Sequence, residues 1–348
     1  MDNSNGTNVR NGLLDCYKGI LIILVVVRHV LQYAVADEGG ILTNFIWAIQ
    51  MPGFMLISGY FSFHTVRNSK DIYYNLKKNI EHYFIPFLLW FICVDVLLLG
   101  KYNRNVLKGI KVLFLKVDVG LWFLWTIFIL ACLAVGVNYI IYKNCSKKWS
   151  TIVCVFAFCL CISIGLVFVS VKARSTNAFG IKYILYYSIF YGTGLLIRIF
   201  EDGVKKCWKK WGNTIYFISI IFFCAIIFNY DLYKSNETLI AISFRLIAGF
   251  FGNIVLFNLI IKYKNLLYKM KMNFIGVYTL EIYTSHMYVN NIMKFDNTYG
   301  LFSVLGFSNF VISFMLTIIF TYIIIACLKV NPMTDFIFYG KRKKNKAN

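Results

Sequence analysis

Charge is scarce in this chain. Of its 348 residues only 15% are Asp, Glu, Lys or Arg and 59% are hydrophobic, whereas a soluble domain carries about 25% charged residues. That shortage excludes an ordinary soluble globule and points to an integral membrane protein. Acid is the scarcer sign, with 15 Asp and Glu against 36 Lys and Arg and a net charge of +21. In a soluble chain such a balance would indicate nucleic acid. Here the basic residues lie between apolar runs, where they set topology, so no nucleic acid partner is expected and the lipid bilayer is. The ten cysteines form no CxxC pair and sit mostly singly inside apolar runs, which argues against a disulfide framework or a metal site. No basic region precedes the first apolar run, so a cleaved signal peptide is not expected. Internal repeats, low-complexity linkers and an appended soluble domain are absent too.

What remains is a succession of about ten apolar segments near spanning length: 13–35, 41–63, 83–100, 119–142, 150–171, 181–199, 213–230, 237–261, 273–293 and 302–329. The expected fold is all-α, a polytopic membrane helix bundle forming one domain over 1–348. With the N-terminus (1–12) and the basic tail (330–348) both cytoplasmic, Lys and Arg favour the inner connections by about two to one. Loop 101–118, with five basic residues, dissents.

The few polar groups inside these segments carry the functional signal, because a charge in hydrocarbon costs roughly 2.5–3.5 kcal/mol on insertion scales. LLDCYKGILIILVVVRHVLQY holds Asp15, Lys18, Arg28 and His29. Lys18 and His29 are eleven residues apart, close to three helical turns, so they share a face that Asp15 joins. The rise between them is about 16 Å, which takes the face from the cytosolic mouth to the outer half of the membrane. Arg28 points about 100° away and pairs elsewhere or snorkels. His286 falls near the same depth, in FIGVYTLEIYTSHMYVNNI beside Glu281 and Tyr283. A lone membrane histidine can simply bond a neighbouring helix, but two at one depth above a basic mouth indicate an active site or a transport path.

Further along, IWAIQMPGFMLISGYFSF puts Pro52 and Gly53 in mid-span, where a kink or unwound turn can line a cavity. Its small pair Ser58 and Gly59 permits close approach of a helix or a ligand. The basic run holding Lys77 and Lys78 either anchors to anionic lipid or receives phosphates of a soluble donor. Trp122, in LWFLWTIF, is either an interfacial aromatic or a stacking surface for sugar rings.

Together DCYKGILIILVVVRH, MPGFMLISGYF, IPFLLW, LWFL and IGVYTLEIYTSH resemble the membrane acyltransferase-3 superfamily, in its fucose-4-O-acetylase-like and polysaccharide O-acetyltransferase branch. The resemblance covers most of the chain. It implies transfer of an acetyl group from cytosolic acetyl-CoA to a hydroxyl of a cell-surface, capsular or exo-polysaccharide or its lipid-linked precursor, in a bacterial plasma membrane. His29 matches the essential histidine, Lys18 the basic partner and Asp15 the acidic residue before it, with His286 matching a late histidine. Lys18, Lys77, Lys78, Ser58 and Gly59 are then candidates to bind acetyl-CoA, and Gln50, Trp122, Glu281 and Tyr283 to bind the acceptor. Gln50 stands where relatives often carry histidine; it can hydrogen-bond but takes no proton at neutral pH. No metal is expected. Polysaccharide assembly proteins or a second copy of the chain are further candidate partners. The competing function is a transporter of polysaccharide or lipid-linked sugar, which mid-membrane breaks and buried titratable groups would equally serve.

Overall fold

The computed structural model describes residues 12–36, 40–144, 177–232, 239–292 and 299–341. Among them the backbone is helical, with no strand. In chain order the elements are α1 (Gly12–Ala34), α2 (Ile41–Ser62), α3 (Ser69–Leu98), α4 (Val106–Leu115), α5 (Trp122–Asn144), α6 (Ile181–Ile199) and α7 (Glu201–Asn229). They continue with α8 (Leu239–Lys262), α9 (Lys264–Lys269), α10 (Met272–Ile275), α11 (Thr279–Ile292), α12 (Val304–Val330) and α13 (Pro332–Tyr339). Six of these, α2, α3, α5, α7, α8 and α12, are long and apolar enough to cross a membrane.

The expected spans at 13–35 and 181–199 coincide with α1 and α6. The one at 150–171 lies outside the described residues, as do residues 342–348 of the basic tail. Two expectations change. The third span starts earlier than 83: the basic stretch ahead of it, with Lys77 and Lys78, begins the 30-residue α3. Pro86 has no N–H for the His82 carbonyl, and α3 widens into a π-type turn at Ile80–Phe84 just before it, which accommodates the ring without ending the helix. The ninth span is broken as well. α10 stops at Ile275, the chain turns through 276–278, and α11 has only 14 residues, about 21 Å against a hydrocarbon core of about 30 Å.

The contacts divide the chain into two compact units, one drawn from Met1–Phe54 and Trp211–Tyr322, the other from Met55–Lys210 and Ile323–Asn348. In the first, α1 packs along α10 and α11 and also touches α8 and α9. Leu31, Val35, Ile46 and Leu301 close one end of this packing, and Val26, Val30 and Ala34 seat Ile282, Phe310 and Phe314. In the second, α3 packs on α5, α5 on α6 and α13 on α3. Gly59 and Gly194 bring α2 and α6 into backbone contact: a Cβ at Gly59 would stand 1.9 Å from the Tyr191 carbonyl oxygen, and one at Gly194 equally close to that of Leu56. At the chain's far end, the Trp90 indole donates to the Phe338 carbonyl and Tyr339 is fully buried, so part of the supposed tail is a docked helix.

Candidate active site

The first unit gathers most of the expected site residues. Asp15 lies in the first turn of α1, where the partial positive charge of the helix start favours a carboxylate. Lys18, one turn on, pairs with it at 2.7 Å. Asp15 is largely shielded and Lys18 keeps its ammonium partly in water. This end of α1 is held against the break before α11. A Cβ at Gly276 would come within 1.8 Å of the Asp15 carbonyl oxygen, so the residue at that turn has to be small.

Near the other end of α1 the two histidines meet, their ring centroids 5.3 Å apart. His286 is fully buried, and its Nδ1 sits 2.7 Å from the Ile282 carbonyl one turn back. A carbonyl only accepts, so Nδ1 carries the proton and Nε2 presents a lone pair. That Nε2 is buried with no protein partner among the described residues. His29 bonds the Gln32 side chain, and its Nδ1 is likewise shielded and unpartnered among the described residues. The two imidazoles thus each bring a shielded ring nitrogen with no protein partner among the described residues to neighbouring positions inside the protein, an arrangement suited to accept a proton from a hydroxyl. Tyr283 stands 6.0 Å from the His286 ring, and Glu281 is fully buried one turn before Ser285 on the same short helix.

Gln50 is buried, and its Oε1 has no protein partner among the described residues. α2 runs through Pro52 without unwinding. Asn253 of α8 makes up the polar contacts there: it accepts from the Tyr17 hydroxyl and donates to the Ile49 carbonyl at 3.1 Å and to Gly249 at 2.7 Å. Only a glycine fits opposite, since a Cβ at Gly53 would lie 2.4 Å from the Asn253 Oδ1.

Ser58, Gly59, Lys77, Lys78 and Trp122 belong to the second unit. The space beside Gly59 is filled by α6, so of the two uses foreseen for the small pair, close helix approach is the one seen. Tyr60 is covered by Arg198, whose Nη1 donates to the hydroxyl at 3.2 Å while the guanidinium lies 5.3 Å from the ring centre. Lys77 and Lys78 are exposed on the first turns of α3. Trp122 stacks on Tyr183 at 4.2 Å and on Tyr187 at 5.5 Å, and the Tyr183 hydroxyl donates to Asp118. Among the described residues no group of three or more His, Cys, Asp or Glu is placed to hold a metal ion.

Sequence reasoning set Arg28 aside and overlooked Gln32 and Asn253. Arg28 is buried, and its Nη1 reaches Gln32 Oε1 at 3.4 Å, so the amide that bonds His29 also meets this guanidinium. The available signal was spacing: Gln32 is one turn from both. Asn253 was visible as an amide inside an otherwise apolar run.

Residues 11–326 match a family described as an acyltransferase domain. Nodulation protein NolL of Mesorhizobium japonicum is 31% identical over 133 residues, 36% of this chain and 35% of that protein. The protein of the same name from Sinorhizobium fredii is 31% identical over 131 residues, 36% of each chain. The chain therefore spans about a third of the length of the curated relatives it matches. No solved structure matches it. Because the family match runs from the start of α1 nearly to the end of α12, and so takes in the helix pair that joins the two histidines, the chain belongs to the acyltransferase-3 family.

Proposed function

We propose that the protein is an O-acetyltransferase of the cell membrane, moving an acetyl group from cytosolic acetyl-CoA to a hydroxyl of a surface polysaccharide or its lipid-linked precursor. The observation that carries this reading is the convergence of His29 and His286, each with one ring nitrogen shielded from water and no protein partner for it among the described residues. A sugar hydroxyl is a weak nucleophile until a base takes its proton, and a neutral imidazole does this at physiological pH.

In this reading both chain ends face the cytosol, and Lys18, oriented by Asp15, attracts the phosphates of CoA at the mouth of α1. The acceptor oxygen attacks the thioester carbonyl as its proton passes to His29. The tetrahedral intermediate collapses, the carbon–sulfur bond breaks, and the departing thiolate takes the proton back from the imidazolium to leave as CoA thiol. With its Nδ1 proton committed to Ile282, His286 acts as an acceptor and holds the sugar hydroxyl for its partner. Donors for the oxyanion have to come from other groups, Gln50 and Tyr283 being the candidates in this unit.

The test is transfer of labelled acetyl-CoA by purified protein in lipid nanodiscs, with surface polysaccharide stripped of its esters as acceptor. Wild type is expected to acetylate the glycan, and His29→Ala to lose about 100-fold or more of that rate. Equal activity in the two proteins would remove His29 as base. If neither consumes acetyl-CoA yet deletion of the protein stops polysaccharide export, the transporter reading stands instead.

A further inference from the structure

α11 is an unusually polar helix for one so buried. From Tyr283 to Asn290 every residue except Met287 is buried, and the run includes Thr284, Ser285, His286 and Asn290. Asn290 lies four residues beyond His286, so the two share a face about 6 Å apart along the axis. Asn290 is 1% exposed. Its Oδ1 accepts from the Thr317 hydroxyl of α12 at 2.7 Å, and Thr317 is fully buried as well. The amide's other end, Nδ2, has no protein partner among the described residues. Turning the amide over does not alter the count: one end bonds Thr317, and the other is left facing no protein group. A buried amide N–H without a partner costs on the order of 1–3 kcal/mol, and here that group sits one turn from the Nε2 of His286, which is in the same condition.

We propose that Asn290 is an acceptor-binding residue, its Nδ2 donating to a hydroxyl of the carbohydrate presented to His286, with Thr317 holding the amide in position. The proposal rests on the acyl-transfer reading and adds the substrate contact that reading lacks. A sugar offers vicinal hydroxyls, so one can meet the imidazole lone pair while its neighbour accepts from the amide. A site that donates to one hydroxyl and accepts from the next discriminates against acceptors lacking either. Thr317 does not touch the sugar; it is a positioning residue.

The test uses the full-length protein in nanodiscs, acetyl-CoA as donor and base-treated surface polysaccharide as acceptor, with each substrate varied in turn. Asn290→Asp keeps the size and the bond from Thr317 but replaces the donor by a carboxylate; Asn290→Ala removes both. Each is expected to raise the acceptor KM about ten-fold, the worth of one hydrogen bond, and to leave the acetyl-CoA KM unchanged. Thr317→Val should move the acceptor KM the same way by a smaller factor. An unchanged acceptor KM in both Asn290 variants overturns the proposal, and so does an equal rise in both KM values, which would mark a packing role. If the wild-type protein transfers no acetyl group, the acyl-transfer reading falls and this proposal with it. Normal wild-type transfer with indifferent Asn290 variants defeats the proposal alone.

Discussion

A single imidazole shows how much a side chain's neighbours add to its sequence. His286 could be recognised as costly, because a polar ring in an apolar run needs a reason. That its Nδ1 is committed to a backbone carbonyl, leaving Nε2 as the accepting nitrogen, depends on the turn of α11 beneath it. His286→Ala should therefore raise the acceptor KM about ten-fold, since it removes the acceptor that holds the sugar hydroxyl, and His286→Gln, whose amide oxygen still accepts, should recover part of that loss in initial-rate kinetics. At the mouth of α1, Lys18→Gln should raise the acetyl-CoA KM roughly ten-fold with little effect on the acceptor KM, and Lys18→Arg should recover most of it, as initial-rate kinetics would show. His64, between α2 and α3, gives a pH prediction. Burial pushes its imidazole below the usual range, opposed by a hydrogen bond to the Ser62 backbone, aided by the Lys78 ammonium and opposed by Asp71. A depressed pKa means that the unfolded state binds the proton more tightly, so this stability is present above the ordinary imidazole range and is lost as pH falls through it. Thermal melts should show a lower Tm on going from neutral to mildly acidic pH, with a smaller drop in His64→Gln.

At the level of the element, hydropathy located most helices but could not tell a continuous span from a broken one. The stretch 273–293 reads as one apolar segment, yet the break at 276–278 is what lets the start of α1 press its backbone against the chain there. Gly276→Ala should lower stability by about 2 kcal/mol, because the overlap is with a backbone carbonyl that has nowhere to move. Gly136 is the control: it lies in α5, is exposed, and an added Cβ would meet nothing within 4 Å. Gly136→Ala should leave the melting temperature unchanged or slightly raised. The same reasoning explains why Ser58 and Gly59 were ambiguous. A small residue advertises close approach without saying whether a helix or a ligand comes near, and for Gly59 it is α6.

For the molecule as a whole, orientation is the property with the most direct test. With both chain ends in the cytosol, Cys207 would face inward beside Lys205, Lys206, Lys209 and Lys210, and it is exposed on α7. In a variant retaining only this cysteine, a membrane-impermeant maleimide should label inverted vesicles and leave intact cells unlabelled; the opposite pattern would reverse the topology.

Membrane character, the all-helical class and the shared face of Asp15, Lys18 and His29 were legible from composition and periodicity, because hydropathy and a 3.6-residue repeat are local properties of the chain. The pairing of His29 with His286, separated by most of the sequence, was legible only as a matching depth. Their contact, the return of Arg28 through Gln32, and the bond between Asn290 and Thr317 all depend on which helix lies against which. Nothing local encodes that choice. It follows from how glycines, short polar side chains and the break before α11 let distant helices approach, and it is this long-range packing that turns scattered polar residues into a site.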